Sequence, residues 1–245
     1  MKFGDFVVQR DLSFDIAREQ VFVIMGASGC GKSTLLKHMV GLIRPARGKV
    51  FYEDASLWDV NESQRQAILR NTGVLYQSGA LWSSLTLAQN VALPLVEIAA
   101  IAQSDARELA ALKLRLVGLR GFDDYYPFEI SGGMRKRAAL ARAIALDPDI
   151  LYLDEPSAGL DPISAHQLDE LVIELRDSLG ATLVVVTHEL ASIFAIADDA
   201  IFLDTETKTM LAQGPPQRLV DECDHPRVIE FLTRGKGRPM RSAGV

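Results

Sequence analysis

Long apolar runs are absent from the sequence. Hydrophobic residues make up 48% of its 245 residues, yet no uninterrupted run approaches the roughly 18–20 residues that a transmembrane helix needs. The N-terminal residues 1–5 do not have the character of a secretory signal peptide. We therefore expect a soluble chain, and any role at a membrane would come through a partner.

Cysteine and excess positive charge are also scarce. The two cysteines, Cys30 and Cys223, have no metal-binding spacing and form no disulfide framework, so a reducing cytoplasm is the expected compartment. Lys and Arg number 26 against 32 Asp and Glu, and the net charge of −6 argues against a nucleic-acid-binding surface. Without internal repeats or low-complexity linkers, the length suits one large α/β domain or two small ones.

The most informative stretch is a glycine-rich loop at residues 26–33, which follows the P-loop pattern G-x-x-x-x-G-K-[ST]. The apolar run 21–25 before it has the character of a buried strand, and residues 33–40 have the apolar face of a helix. Such a turn directs backbone N–H groups at an anion, and the helix N-terminus adds partial positive charge. The alternative is a chance glycine turn.

Side chains of this loop have predicted roles in binding ATP and Mg²⁺. Lys32 is expected to reach the β- and γ-phosphates, and the Ser33 hydroxyl is expected to ligate Mg²⁺. The predicted nucleotide contacts of the loop are Gly26, Ala27, Ser28, Gly29, Cys30, Gly31, Lys32, Ser33 and Thr34.

Apolar strands alternate with amphipathic helices along the chain. Strands rich in Val, Ile and Leu are predicted at 150–153 and 183–186, with a helix at 163–179 between them. A more helical stretch runs from 86 to 146 and is expected to break at Pro94. A further strand is indicated by the alternation within 6–14. This pattern predicts a parallel sheet that is covered on both faces.

Two acidic residues follow the strand predicted at 150–153. Ligands of open α/β sheets bind outside the carboxyl ends of the strands. Asp154 is therefore predicted to hold Mg²⁺, directly or through water, and Glu155 to orient and deprotonate the attacking water. The alternative is a solvated acidic turn after a core strand.

Three further positions carry possible phosphate chemistry. Ser131-Gly132-Gly133 opens an Ala-rich helix, and its two glycines can form a nest of N–H groups; an ordinary Ser N-cap is the alternative. Gln77 and His188 each follow a predicted strand, and each can bond a γ-phosphate, its water or Mg²⁺. A purely structural role is the alternative for both.

Taken in order, these elements resemble the nucleotide-binding subunits of ABC transporters over nearly the whole chain. They are the Walker A loop 26–33, the Q-loop Gln77, the signature Ser131-Gly132-Gly133, the Walker B pair Asp154-Glu155, the D-loop Ser157-Ala158-Gly159-Leu160-Asp161 and the switch His188. The resemblance implies an α/β fold with a P-loop NTPase (RecA-like) parallel sheet core, an antiparallel β subdomain and an α-helical subdomain that holds the signature. It also implies an ATPase domain at 1–235, a helical subdomain at about 78–146 and a flexible basic tail at 236–245.

The resemblance implies a mechanism as well. Two such domains form a head-to-tail homodimer that holds two ATP molecules at the interface. Ser131, Gly132 and Gly133 of one chain contact the ATP bound to Walker A of the other, and Asp161 communicates across the dimer. ATP binding closes the dimer, hydrolysis opens it, and the motion drives a membrane permease. The residues expected to act in hydrolysis are Lys32, Gln77, Glu155 and His188, and those expected at Mg²⁺ are Ser33, Gln77 and Asp154.

A narrower resemblance is to the Mla-type ATPases, and it rests on residues 76–81, 117–121, 131–146 and 226–232. Those ATPases energise phospholipid traffic between the two bacterial membranes. Their partners are a permease dimer, a periplasmic MCE lipid-binding protein and often a small STAS-domain protein. The resemblance implies a position on the cytoplasmic face of the inner membrane and no nucleic-acid partner.

The sequence departs from the family pattern at two positions that matter. Met134 replaces the usual Gln of the signature, which suits the lipid-linked group. Phe3 aligns with the aromatic residue that stacks on adenine, but the strand that normally precedes it is missing. Because a frayed terminus fixes an aromatic ring poorly, either the start is misassigned or adenine is held loosely.

Two side chains carry separate hypotheses. Cys30 lies in the phosphate loop, where a helix N-terminus favours a reactive thiolate; a buried, inert thiol is the alternative. Trp82 stands beside Ser83 and Ser84 in an apolar segment and is predicted to be a loop residue that anchors the permease. A place in the core is the alternative.

Other function classes fit the sequence less well. Soluble ABC ATPases of DNA repair or translation carry coiled-coil or zinc insertions or two cassettes, which this chain lacks. A P-loop kinase would leave the second glycine nest and the D-loop without a role. An ABC importer or exporter ATPase for another substrate stays an alternative, because no substrate-binding determinant is visible. Copurification with a permease would separate a transporter subunit from the first two classes.

Overall fold

The computed structural model describes residues 1–237 of the chain. Strands in this part are β1 Lys2–Phe3, β2 Phe6–Val7, β3 Val21–Gly26, β4 Phe51–Tyr52, β5 Ala55–Ser56, β6 Thr72–Leu75, β7 Ile150–Asp154, β8 Thr182–Val186, β9 Asp199–Leu203 and β10 Met210–Gly214. Helices are α1 Lys32–Met39, α2 Glu62–Arg70, α3 Leu87–Glu97, α4 Gln103–Leu116, α5 Gly132–Ala143, α6 Pro162–Leu179, α7 Leu190–Ile196, α8 Pro216–Glu222 and α9 Pro226–Thr233. Of the tail predicted at 236–245, residues 238–245 lie outside the described part.

Six strands form the central sheet in the order β10-β9-β3-β8-β7-β6. Neighbouring strands from β9 to β6 pair in parallel, and β10 is an antiparallel edge strand. Every residue of β3 and β8 is buried, as expected for strands of a parallel sheet with both faces covered. The predicted parallel core is confirmed, and it brings the carboxyl ends of β3, β7 and β8 to one edge.

The two faces of the sheet pack against different helices because strand side chains alternate in direction. Phe22 and Ile24 of β3 pack with Leu35 and Leu36 of α1 in one apolar cluster. On the opposite face, Val21, Val23 and Met25 join a larger cluster with residues of α3 to α7. The phosphate loop is therefore anchored by an apolar strand and an apolar helix at its two ends.

The helical stretch after β6 differs from its prediction at one point. Helix α3 runs through Pro94 and ends only at Glu97, although Pro94 has no N–H for the carbonyl of residue 90. Val91 and Leu95 on its inner side are 0% and 2% exposed, so burial of this face favours the helix despite the missing bond. None of the helices in residues 1–237 is both long and apolar enough to cross a bilayer.

The antiparallel parts are small. They are the hairpins β1–β2 and β4–β5, each with two-residue strands, together with the β10 edge. The strand predicted over 6–14 was wrong beyond Val7. The alternation there reflects packing on the core without sheet pairing, since the ring of Phe14 stacks on Phe22 with centroids 5.5 Å apart.

Candidate functional site

The loop between β3 and α1 has room only for glycine at two positions. A Cβ on Gly26 would lie 2.3 Å from the carbonyl oxygen of Leu203, and one on Gly31 would lie 2.6 Å from Cγ1 of Val8. Gly31 also has a φ of 96°, a left-handed conformation that L side chains rarely adopt. The backbone can therefore turn sharply and lead directly into α1.

The loop has donors that are suited to an anion. Within the described residues, the backbone N–H groups of Ser28, Gly29 and Gly31 donate no hydrogen bond. The Lys32 ammonium donates to the carbonyls of Gly26 at 2.9 Å and Ala27 at 3.2 Å, so it lies over the loop. Free N–H groups, a lysine and a helix N-terminus in one concave turn fit a phosphate chain.

Ser33 and Asp154 are brought together by the sheet. The Ser33 hydroxyl donates a 2.9 Å hydrogen bond to Oδ1 of Asp154, which ends β7. Burial raises the pKa of Asp154 and adjacent Glu155 adds to the increase, while the bond from Ser33 and the charges of Lys37 and Lys32 oppose it. Their two oxygens are hard ligands of the type that Mg²⁺ prefers.

The side chains around Ser33 and Asp154 fit an Mg²⁺ that is shared with a nucleotide better than a metal ion held by protein ligands alone. Among the residues that the structure describes, no three His, Cys, Asp or Glu side chains form a metal-binding group. Mg²⁺ is commonly held by one or two protein oxygens together with substrate phosphates and water. Ser33 and Asp154 beside the phosphate loop supply that donor set.

Glu155 has an unusual backbone and an unsatisfied side chain. Its φ is 48°, a conformation that costs a non-glycine residue about 1–3 kcal/mol. Its Oε1 lies 2.8 Å from Nδ1 of His188, while its buried Oε2 has no hydrogen-bond partner within residues 1–237. One carboxylate oxygen is thus oriented by the imidazole, and the other is a buried acceptor without a partner in the described chain.

Gln77 is placed at the same edge but contributes differently. It follows β6, its side chain is exposed, and it forms no side-chain hydrogen bond within the described residues. Its backbone carbonyl accepts a hydrogen bond from the ammonium of Lys136 in α5. The predicted contact of the Gln77 amide with Mg²⁺ or water stays a prediction.

The signature residues lie apart from the phosphate loop of their own chain. The Ser131 hydroxyl accepts a 3.2 Å bond from Met134 N–H and caps α5, so the ordinary N-cap is present. Gly132 and Gly133 form the first turn of the same helix. In the described part, no hydrogen bond or ion pair links Ser131, Gly132 or Gly133 to residues 26–33.

The D-loop is next to the signature. A Cβ on Gly133 would lie 3.9 Å from side-chain atoms of both Leu160 and Ser164. A cavity of about 350 Å³ between them is lined in part by Ser131, Gly133 and Leu160. Asp161 accepts bonds from the N–H groups of Ile163 and Ser164 and caps α6; the Ser164 side chain and these N–H groups lower the pKa of Asp161.

Phe3 and Cys30 complete the predicted nucleotide contacts. Phe3 is 51% exposed in β1. Cys30 is 1% exposed, and burial raises its pKa despite the opposing charge of Lys32. The predicted reactive thiolate was therefore wrong, because the Cys30 side chain packs in the core beneath the loop and does not face the anion-binding side.

Two residues at the site escaped the sequence analysis. Gln9 is fully buried, and its amide donates to the carbonyls of Cys30 at 2.7 Å and Asp204 at 2.8 Å. Lys136 bonds the carbonyls of Gln77 and Glu155 from α5. Lys136 could have been found, because a lysine at a buried position of an Ala-rich helix is unusual. No local sequence pattern indicates the role of Gln9.

A parallel sheet that places a phosphate loop, a hydroxyl–carboxylate pair and a buried glutamate at one edge defines a P-loop ATPase. The ABC transporter family model matches residues 9–158, and the chain belongs to that family. It is an ATP-binding cassette with ATPase activity.

Individual relatives cover most of the chain. An intermembrane phospholipid transport system ATP-binding protein MlaF from Haemophilus influenzae is 36% identical over 240 residues, which are 98% of this chain and 90% of that protein. A probable ribonucleotide transport ATP-binding protein, mkl, from Mycobacterium leprae is 38% identical over 97% of this chain and 68% of its own. The solved dimeric cassette MJ0796, in a post-hydrolysis state with ADP and Pi, has a TM-score of 0.77 and 28% identity, covering 88% of this chain and 94% of that one.

Proposed function

We propose that this chain hydrolyses Mg-ATP as one half of a homodimer and drives phospholipid transport through a membrane permease. The observation that carries the ATPase part is the 2.9 Å bond between Ser33 and Asp154 beside the phosphate loop. The relative named as a phospholipid transport ATP-binding protein, which matches 98% of this chain, supports the transport part.

Each residue at the sheet edge has a proposed role. The loop N–H groups and Lys32 bind the phosphates, with residues 26–34 as the nucleotide contacts. Ser33, Asp154 and Gln77 hold Mg²⁺, which would neutralise charge on the β- and γ-phosphates. Glu155 takes the proton of the attacking water. His188 orients Glu155 through the 2.8 Å contact and positions the γ-phosphate.

The signature supports a site that is shared between two chains. Ser131, Gly132 and Gly133 open α5 with free N–H groups, yet no hydrogen bond joins them to residues 26–33 within the described chain. We therefore assign them to the ATP of a second copy, with Asp161 relaying between the sites. The dimeric arrangement of the similar cassette MJ0796 supports this assignment. Phe3 is assigned to adenine.

The domain arrangement follows from these roles. We assign residues 1–235 to the ATPase domain, about 78–146 to its helical subdomain and 236–245 to a basic tail. The proposed partners are a permease dimer, a periplasmic MCE protein and a STAS-domain protein. The chain would then act on the cytoplasmic face of the bacterial inner membrane.

A second substrate class is favoured by one specific observation. The mkl protein, named a probable ribonucleotide transport ATP-binding protein, is 38% identical, about as similar as the phospholipid-linked relative. The permease, and not the cassette, would have to distinguish the two substrates, because no substrate-binding determinant is visible in this sequence.

Reconstitution of the cassette with a permease that copurifies with it tests the proposal. Proteoliposomes would be assayed for ATP-dependent transfer of a fluorescent phospholipid and, in a parallel arm, for ribonucleotide transport. Transfer of the lipid alone supports the proposal, and ribonucleotide transport alone overturns its lipid part. A permease complex with the Glu155→Gln cassette is the matched control, since it should assemble without turning over.

A further inference from the structure

Lys136 is a buried lysine that the ATPase mechanism above does not use. It lies in the second turn of α5 and is 7% exposed. Its ammonium donates to the backbone carbonyl of Gln77 and, at 3.1 Å, to that of Glu155. Within residues 1–237 it forms no ion pair. One side chain on the signature helix therefore joins the ends of two neighbouring strands, β6 and β7.

The Lys136 ammonium fixes the positions of the two carbonyls, because it needs them as hydrogen-bond acceptors. A buried charge without a counter-ion is unfavourable unless its hydrogen bonds are satisfied. Burial lowers the pKa of Lys136, and the charges of Asp154 and Glu155 only oppose this effect. Since both observed acceptors are carbonyls at the catalytic edge, Nζ holds these carbonyls at a set separation.

The Glu155 backbone is the part that most needs such support. With φ at 48°, Glu155 has a sparsely populated conformation that persists only when its surroundings determine it. Its N–H is held by the Val186 carbonyl at 2.8 Å. Its own carbonyl accepts from Lys136 and from the N–H of Ala158 at 3.2 Å. These bonds orient the peptide groups on either side of Glu155. They thereby fix the direction in which its side chain leaves the backbone.

We propose that Lys136 is a positioning residue, which fixes the carboxylate of Glu155 and the backbone at Gln77 relative to the signature helix. The inference rests on the role of Glu155 in the proposed function. Because α5 also begins with Ser131-Gly132-Gly133, a movement of that helix is transmitted to the base and to the Q-loop by the same ammonium. ATP hydrolysis then depends on Lys136, while ATP binding at the phosphate loop does not.

The test compares Lys136→Met, which removes the donors but keeps the length, with Lys136→Arg and Lys136→Gln, which keep donors. Turnover, the KM for ATP and the Kd for ATP without turnover would be measured. We expect kcat of K136M to fall roughly 10- to 100-fold, the cost of a small misplacement, with the Kd unchanged. We expect kcat to recover partly in K136R or K136Q, because these side chains can still donate hydrogen bonds to the two carbonyls. If Lys136 served only stability, kcat would not depend on whether the side chain has donors.

Lys113→Met is the matched control. Lys113 is 5% exposed in α4 and is bound to Asp147, away from the catalytic edge. We expect K113M to unfold at a lower temperature with an unchanged kcat. An equal loss of kcat in K113M and K136M would overturn the inference, as would an unchanged kcat in K136M.

Two further outcomes are decisive. If K136M does not fold, Lys136→Ala takes its place as the variant without donors: a lowered kcat with unchanged ATP affinity supports the inference, and a wild-type kcat overturns it. Glu155→Gln separates this inference from the function on which it rests. Turnover by E155Q would contradict the proposal that Glu155 is the base. An inactive E155Q together with a fully active K136M would contradict only the role inferred for Lys136.

Discussion

Nδ1 of His188 lies 2.8 Å from Oε1 of Glu155, although the two residues follow different strands of the sheet. The His188 side chain is 52% exposed, whereas that of Glu155 is 9% exposed. An imidazole at the surface thus orients a carboxylate whose second oxygen is buried without a partner in the described chain. This geometry is consistent with the role of general base that we propose for Glu155.

Glu155→Gln is expected to abolish turnover while ATP binding is kept. The amide preserves the shape but cannot accept the proton of water, and loss of a general base typically lowers rates by ~10²–10⁴-fold. ATPase assays and size-exclusion chromatography with ATP and Mg²⁺ would measure both effects, and the variant should accumulate as an ATP-bound dimer. Turnover near the wild-type rate would show that another group is the base. Glu174→Gln, at an exposed position in α6, should retain activity.

Cys30 is expected to resist maleimide in the native protein. It is 1% exposed with a pKa that burial raises, and the thiolate is the reactive form. A Cys223→Ser variant should take up no label when folded and one label per chain in urea, as mass spectrometry would show. Rapid native labelling of this variant that Mg-ATP slows would contradict the structure and restore the reactive thiolate.

Trp82 is 60% exposed, so the predicted loop position is confirmed and the core alternative is wrong. The fully buried Asn90 holds its backbone, accepting from Trp82 N–H at 2.7 Å and donating to its carbonyl at 3.0 Å. A loop held by these two bonds therefore presents the ring to solvent. Its role as a permease anchor stays a prediction.

Trp82→Ala is expected to leave the isolated ATPase folded and able to bind ATP, yet to weaken copurification with the permease. Truncating an aromatic anchor in an interface can cost about 2 kcal/mol or more. Phe51→Ala removes a similarly exposed ring, at 59%, from β4 and is the control. Normal assembly and transport by the Trp82 variant would place the interface elsewhere.

Asp204→Asn is expected to lower the stability of the protein at neutral pH, and this effect should disappear as the pH approaches 2. Burial acts to raise the pKa of Asp204, but bonds from Thr207 and Arg227 outweigh it and lower the pKa to about 2. An aspartate whose pKa is lowered in the folded state stabilises that state at pH values above its pKa in the unfolded state, roughly 4. This contribution to the free energy of unfolding is lost as pH falls toward 2.

Urea midpoints at pH 7, 4 and 2.5 would measure the effect. The wild-type midpoint should fall more between pH 4 and 2.5 than that of Asp204→Asn, and the two should converge at low pH. Asp221→Asn, at an exposed position in α8, should follow the wild type at each pH. A constant gap between Asp204→Asn and the wild type would contradict the lowered pKa.

Local patterns in the sequence predicted the elements that depend on neighbouring residues. The apolar run before Gly26 and the apolar face after Ser33 identified β3 and α1, because burial of a strand or of one helix face leaves a periodic trace. An N-cap was the alternative considered for Ser131, and its hydroxyl does cap α5. Gly180 ends α6 in the left-handed conformation, as a glycine at that position indicates.

Predictions failed where tertiary packing overrides a local preference. Pro94 normally interrupts a helix, yet α3 continues because its buried face packs on the core. A helix N-terminus favours a thiolate, yet Cys30 is turned into an apolar cluster where desolvation prevails. In both cases, burial by residues distant in sequence determines the outcome.

The sequence by itself determined the chemistry of the site, because the phosphate loop, the acidic pair and the signature are contiguous motifs whose residue types are the reactive groups. The tertiary structure alone decided which groups meet. Ser33 and Asp154 are 121 residues apart and come together because β8 holds β3 and β7 in one sheet. Lys136 reaches Gln77 and Glu155 for a similar reason, since α5 packs over the ends of β6 and β7. Contacts of this range depend on sheet order and helix packing, which no local pattern encodes.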